Sequence, residues 1–278
     1  MNFKPLRQTA AQIDFNVKSG IYEETSLVQK SAAQVLRRLL AVQPNEDILD
    51  LGCGPGNITG ELALSTKGKV LGVDLAAGMI AEARRLNTGI PNLYFEIKDA
   101  ADLGFVREFD VIMCNSAFQW FTDPVPVIEQ CCQALRPGGR LGIQAPATNN
   151  YCQNFVAVEE KIRQDPATKA IYAGFVRPWL FLESASAYRQ LFEERQFKVT
   201  YSELVREETG YTVDQAYKIY QSGAENGYLN QAYNKEKITE SYVNAFRRLV
   251  KETLVEQTAE DGLVKLVFNR IYLVAEKP

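Results

Sequence analysis

The chain has 278 residues, 46% hydrophobic and 23% charged, enough apolar material for one large core in an ordinary globular composition. A net charge of −3 with no basic footprint argues against nucleic acid as a partner. The chain contains no histidine, which removes the commonest general base and the commonest metal ligand, so no metal site is expected.

Residues 1–25 are polar and mixed, an arm or a short helix. The N-terminus MNFKPLRQTA carries no apolar signal segment, and no stretch reaches the ~18 apolar residues of a membrane span. The expectation is a cytoplasmic protein that does not touch membranes. Residues 26–41 place Leu27, Val28, Val35, Leu36, Leu39 and Leu40 at helical spacing, with Ser26 as a candidate cap. Strands are predicted over Asp47–Leu51, Lys69–Val73, Leu93–Ile97, Asp110–Cys114 and Arg140–Gln144. Helices are predicted between them over Asn57–Leu64, Met79–Leu86 and Val125–Leu135, the last stopping at Pro137-Gly138-Gly139. This alternation predicts an α/β fold whose parallel sheet carries helices on both faces. The five cysteines (Cys53, Cys114, Cys131, Cys132, Cys152) are odd in number, match no zinc spacing and read as reduced thiols.

The second half differs. Glu183–Gln196 is an amphipathic helix, Lys198–Val205 a strand, and Val264–Ala275 a long β-rich run. The helix-forming stretch Thr212–Asp261 between those strands is too long for a turn and reads as a helical lid inserted between the last two strands. Its aromatic residues (Tyr217, Tyr220, Tyr228, Tyr233, Tyr242, Phe246) either line a pocket or fill the lid's own core.

Chemistry concentrates at Ile48-Leu49-Asp50-Leu51-Gly52-Cys53-Gly54-Pro55-Gly56-Asn57, where a strand runs into a glycine-rich turn and then a helix. Glycine permits the tight turn and the close approach of a ligand, and the turn lies at the carboxyl edge of the sheet, where such folds bind ligands. Asp74 ends the second strand, placed to accept from both hydroxyls of a ribose. Asp99 follows the third strand, placed to accept from an adenine amino group. The glycines are not spaced G-x-G-x-x-G, and no phosphate-loop lysine follows. A nucleoside cofactor without phosphates, carrying a sulfonium and an amino acid tail, fits better, with Asp50 near its positive end.

Ile48–Asn57, Asp74, Asp99 and Leu135-Arg136-Pro137-Gly138-Gly139 together resemble the class I S-adenosylmethionine methyltransferases over roughly residues 30–146. Asn115-Ser116-Ala117-Phe118-Gln119-Trp120-Phe121 and Ile143-Gln144-Ala145-Pro146 are similar to a narrower branch. It holds trans-aconitate methyltransferase, the malonyl-carrier-protein methyltransferase and juvenile hormone acid methyltransferase, which methylate carboxylates. The segments Tyr22…Gln29 and Phe175-Val176-Arg177-Pro178-Trp179 are also similar to it. The resemblance implies one domain over 1–278 with a Rossmann-like, doubly wound, mostly parallel seven-stranded sheet. Residues 26–146 would form the cofactor-binding core. Residues 147–262 would supply substrate-side helices and the lid, interrupted by a strand at about 198–205, and 263–278 the final strand. It implies S-adenosyl-L-methionine as cofactor, S-adenosyl-L-homocysteine as product and a small-molecule acceptor, with monomer and dimer both open. Gly52, Gly54 and Gly56 would approach the cofactor, Asp74 the ribose, Met79 the adenine face, Asp99 and Ala100 the adenine edge, and Asn115 the methionine portion. Gln119 and Trp120 would lie near the transferred methyl, with Tyr22, Gln29, Gln144 and Arg177 on the substrate side.

A carboxylate acceptor is ionised at neutral pH and needs no base. The missing histidine therefore leans towards one, although Glu, Asp, Lys or Tyr can also act as base. Arg177 is the preferred clamp because a guanidinium pairs with carboxylates bidentately. The alternatives are N- or C-methylation of a natural product, and a non-catalytic module that binds the cofactor.

Overall fold

The computed structural model describes residues 22–278 and, for residues 22–30, the backbone alone. The side chains of Tyr22 and Gln29 therefore lie outside the described residues, as do residues 1–21 of the segment 1–25 read as an arm or a short helix. The first helix, α1 (Tyr22–Leu40), starts four residues before Ser26, which lies inside it rather than at its cap. Tyr22-Glu23-Glu24-Thr25 contains no helix breaker, and glutamates suit the positive end of a helix.

Alternation then proceeds as the hydrophobic pattern predicts: β1 (Ile48–Leu51), α2 (Asn57–Ala63), β2 (Val70–Asp74), α3 (Ala77–Leu86), β3 (Leu93–Ile97), β4 (Phe109–Asn115), α4 (Pro124–Ala134) and β5 (Leu135–Pro146). Helix α4 opens on a proline in its first turn, where the missing N–H costs nothing. Strand β5 takes in Pro137-Gly138-Gly139, expected as the stop of the preceding helix, and so begins five residues before the expected Arg140. Leu135 pairs with Phe109, and the register shifts before Arg140 pairs with Val111.

The second half adds α5 (Gln153–Gln164), α6 (Lys169–Tyr172), α7 (Ala185–Glu193), β6 (Lys198–Tyr211), α8 (Val213–Ser222), α9 (Ala224–Tyr228), α10 (Glu240–Glu256) and β7 (Val264–Glu276). Sheet order is β3-β2-β1-β4-β5-β7-β6, with β7 antiparallel to both neighbours. The sheet is thus seven-stranded and mostly parallel, and α8, α9 and α10 fall between β6 and β7 in the chain. Strand β6 runs six residues beyond the expected Val205 because its whole length pairs with β7.

Leu141, Ile143, Ile271 and Leu273 face α4 and α7 in the largest core cluster. The opposite face is covered by α1 near β4 and β5, and further along by the aromatic cluster of α5, α8 and α10. Helix α1 comes so close that a Cβ on Gly142 would lie 2.8–2.9 Å from the Leu40 side chain. Tyr220, Tyr228, Tyr242 and Phe246 are enclosed in the aromatic cluster and fill the helical layer's own core, whereas Tyr217 packs at its margin. No helix among the described residues is long and apolar enough to cross a membrane. The five cysteines are free thiols, all buried except the half-buried Cys132.

Candidate active site

The glycine turn after β1 is left-handed at Gly52, Gly54 and Gly56, with φ of 73°, 54° and 79°, a conformation that glycine alone adopts without strain. The three glycines answer different demands. A Cβ on Gly52 would lie 2.5 Å from that of Ala117, and one on Gly56 would meet Phe95 and Ala83 at 2.8–2.9 Å. At Gly54 an added Cβ meets nothing within 4 Å. Gly52 and Gly56 therefore serve packing, while Gly54 faces open space.

The strand ends on either side hold this turn. Gly52 and Cys53 donate to the Val73 carbonyl at 2.9 and 3.0 Å. Asp74 accepts from the Gly54 N–H (3.0 Å) on Oδ2 and from the Ala76 N–H (2.9 Å) on Oδ1. The Leu75 N–H also bonds this carboxylate, and of its about four acceptor sites one is left for a hydroxyl. Burial raises the Asp74 pKa, against the bonds from Ala76 and Gly54. Asp50 lies deeper, 3% exposed, and accepts from Thr59 Oγ1 at 2.6 Å. Its pKa is pushed up to about 6, first by burial, with the Thr59 bond opposing and the Asp74 charge adding. No hydrogen bond or ion pair to a lysine or arginine is seen at either carboxylate among the described residues.

Met79 is buried in the first turn of α3. Asp99 is exposed, and its Oδ1 accepts from the Ala101 N–H at 2.9 Å, shaping the turn that carries Ala100. On the other side of the glycine turn, β4 ends at Asn115, and Ser116 follows in the left-handed region (φ 57°). That strained link opens a short 3-10 turn over Phe118–Trp120. Gln119 Nε2 donates to the Ser116 carbonyl at 2.8 Å, while its Oε1 is buried without a partner. The Gln119 carbonyl accepts from the Leu180 N–H at 2.8 Å, and Trp120 meets Trp179 edge-on at 5.7 Å. Trp179 in turn seats on Gly227, where a Cβ would fall 2.2 Å from the indole.

Gly52, Gly54, Asp50, Asp74, Asn115, Gln119 and Trp120 thus converge at the carboxyl edge of β1, β2 and β4, and Gln144 joins them from β5. Gln144 is fully buried. Its amide satisfies all its neighbours when the nitrogen donates to Asn115 Oδ1 and Ser116 Oγ, and the oxygen accepts from Arg270 Nη1, each at 2.9 Å. Arg177 lies elsewhere, in the helical layer. It donates to Asn149 Oδ1 (2.7 Å) and pairs with Glu159 at 3.3 Å. Glu159 is a buried hub that also accepts from the Tyr172 and Tyr228 hydroxyls at 2.6 and 2.9 Å. Sequence reasoning missed Ser116, Thr59 and Arg270. Ser116 is visible only as part of the motif Asn115–Phe121 and Thr59 carries no signal of its own, but Arg270 interrupts the apolar run Val264–Ala275 and is visible there as an anomaly.

A family described as "Methyltransferase domain" matches residues 43–223. The chain belongs to the methyltransferase domain family. The trans-aconitate 2-methyltransferase of Deinococcus radiodurans is 34% identical over 134 residues, 48% of this chain and 50% of the relative. The malonyl-[acyl-carrier protein] O-methyltransferase of Bacillus anthracis is 33% identical over 141 residues, 49% of this chain and 52% of the relative. The match thus spans about half the length of these curated relatives. Phosphoethanolamine N-methyltransferase 2 of Haemonchus contortus, solved with S-adenosyl-L-methionine, shares the fold. The TM-score is 0.53 at 17% identity, covering 90% of this chain and 52% of that one. The site fits the methyltransferase cofactor. The turn opens at Gly54, both flanking carboxylates suit a cation, and the turn itself carries no lysine or arginine that a phosphate would need.

Proposed function

We propose that the chain methylates a carboxylate oxygen of a small molecule, with S-adenosylmethionine as donor. One observation carries this reading: the transfer turn Ser116–Phe121 holds no ionisable side chain, in a chain without histidine. A phenol or amine acceptor must lose a proton at that point, whereas a carboxylate arrives without one. The names of the two curated relatives fit, since trans-aconitate and a malonyl group are both carboxylates.

When bound, the cofactor supplies an electrophilic methyl on a sulfonium. The chain's own residues then act by alignment and electrostatics. Asp74 would bind a ribose hydroxyl through its remaining acceptor site, and Met79, Asp99 and Ala100 the adenine. Asp50 and Asn115 would face the charged tail. Gln119 and Trp120 would border the attacking oxygen, with Trp179 holding the Trp120 indole. Residues 26–146 would form the cofactor half, and the helices of 147–262 would cover the acceptor. Tyr22, Gln29 and Gln144 would lie on the acceptor side, and Arg177 at its margin. Arg177→Lys is then expected to raise the acceptor KM more than it alters cofactor affinity.

The test is kcat/KM for the acceptor against pH at saturating cofactor. A carboxylic acid titrates near pH ~4–5, so the profile is expected to be nearly flat from about pH 6 to 9. A climb approaching tenfold per unit across that window would replace the carboxylate with an amine or phenol. Cofactor binding with no turnover over a broad acceptor panel would replace the enzyme with a binding module.

A further inference from the structure

Among the described residues, Arg270 is the only lysine or arginine that is buried, 3% exposed. It lies on β7 opposite Pro146 of β5 and Val205 of β6, at the sheet edge that carries the glycine turn. Its guanidinium sits over the Phe268 ring, 4.6 Å from the centroid. Nη1 reaches Gln144, which bonds Asn115 and Ser116. On the other side Nε lies 2.9 Å from Glu207 Oε2, and Glu207 Oε1 accepts from the Tyr272 hydroxyl at 2.7 Å. A polar chain therefore crosses β6, β7, β5 and β4 and ends at the residues that open the transfer turn.

As a purely structural device this arrangement is poor. Burying a guanidinium costs several kcal/mol of desolvation, and apolar residues of like volume often stabilise as well. The return on that cost is incomplete: Glu207 is close enough to attract Arg270, yet the buried Nε proton is aligned with no acceptor. Glu207 is itself 30% exposed, so a displaced Glu207 carboxylate can turn to water and uncover Arg270 as it leaves.

We propose that Arg270 is the anion receptor of the acceptor site. An acceptor carboxylate takes the guanidinium donors, and Glu207 is the internal carboxylate that it displaces. Gln144 is a positioning residue that ties the receptor to Asn115 and Ser116. This inference rests on the carboxylate reading above and assigns the recognition to β7 rather than to Arg177.

The experiment is calorimetric titration of the protein loaded with S-adenosylhomocysteine, using trans-aconitate, malonate and hexanoate as probes. At least one is expected to bind. Arg270→Lys should weaken that probe roughly tenfold or more, the worth of a charge-assisted hydrogen bond. Glu207→Gln should tighten it by roughly three- to tenfold by removing the internal competitor. S-adenosylhomocysteine affinity should stay within about twofold in both, since neither residue faces the glycine turn. Glu207 is partly exposed, so its variant keeps the test alive if Arg270→Lys fails to fold. A probe that binds but ignores both substitutions overturns the inference and leaves the carboxylate reading standing. A tenfold loss in Arg177→Lys with none in Arg270→Lys moves the receptor to Arg177. Binding of none of the probes by the loaded wild type overturns both readings. Failure of S-adenosylhomocysteine itself to bind would instead indict the glycine turn.

Discussion

The two edges of the sheet are built from the same residue types to opposite ends. At the amino edge, Asp47 and Asp110 share Arg136, at 2.8 and 2.7 Å, and Glu46 pairs with Arg140 at 2.7 Å. Backbone donors complete the set, with Lys69 N–H on Asp47 and Asp47 N–H on Asp110. At the carboxyl edge, Asp50 and Asp74 are bonded, among the described residues, only by a hydroxyl and by backbone N–H groups, and both have raised pKa values. Left-handed backbone occurs at both edges, at Ala41, Arg107 and Gly138 on the amino side and at Gly52, Gly54, Gly56 and Ser116 on the carboxyl side, so it does not distinguish them. One edge neutralises its charge internally. The other keeps negative charge ready for a cationic ligand, and perturbed carboxylates of that kind gather at binding sites.

The largest expected effect separates the glycines. Gly52→Val drives a branched side chain into Ala117 and should cost about 2–5 kcal/mol, from overpacking plus left-handed strain. Gly54→Val meets no protein atom and should cost only the strain of about 1–2 kcal/mol, while cofactor binding is lost. Thermal unfolding and calorimetry run together distinguish the two. Normal cofactor affinity in folded Gly54→Val would mean that the open side of the turn faces away from the ligand.

That contrast marks what the sequence reveals and what it hides. Strand and helix alternation through β5 is legible because each strand is a short apolar run closed by a turn signal. Asp50, Asp74 and the glycines are legible as a spaced set. Which glycine serves packing is not, because Ala117 and Phe95 approach from distant parts of the chain. Arg177 reads well beside Pro178 and Trp179, but its Glu159 partner lies 18 residues away on α5. The helix α5 itself hides in a polar stretch whose apolar face is completed only by α8 and α10.

Next in size is Asp74→Ala. It removes the acceptor of the Gly54 N–H as well as any ribose contact. Cofactor affinity should fall by roughly 1.5–3 kcal/mol, as for bonds to a charged group. An unchanged affinity in a folded variant would remove Asp74 from the site.

The raised pKa of Asp50 gives a pH signature. Its folded value, about 6, lies above the ordinary aspartate value of 3.8. Burial therefore favours the protonated form, and the ionised form at neutral pH costs the fold on the order of 1–3 kcal/mol. That cost is absent at low pH and grows as pH rises through the window from about 4 to 6. A cationic ligand selects the ionised form. Cofactor affinity should be flat above pH ~7 and fall by up to about tenfold per unit below pH ~6. Asp50→Asn should flatten that profile and leave the ligand-free fold as stable or more so, since the amide oxygen still accepts from Thr59. A wild-type affinity that is level down to pH 5 would place the positive end of the cofactor away from Asp50.

The smallest expected effect belongs to the amino edge, and it tests whether the two edges are truly independent. Arg136 stands in the segment Leu135-Arg136-Pro137-Gly138-Gly139, part of the sequence resemblance, yet its guanidinium points away from the glycine turn to Asp47 and Asp110. The Arg136 side chain is 39% exposed and its partners 29% and 30%, so solvent screens both pairs. Arg136→Gln should cost less than about 1 kcal/mol. For a chain of this size that lowers the melting temperature by no more than roughly 2–4 °C. The two aspartates it leaves behind keep their backbone donors, so neither carboxylate is stranded. Cofactor affinity should stay within about twofold, because residues that share no partners act additively. A tenfold loss of cofactor affinity with the melting temperature unchanged would show that β1 and β4 transmit the amino-edge pairing to Asp50 and Asn115. The contrast between a neutralised edge and a binding edge would then have to be given up for a single coupled network.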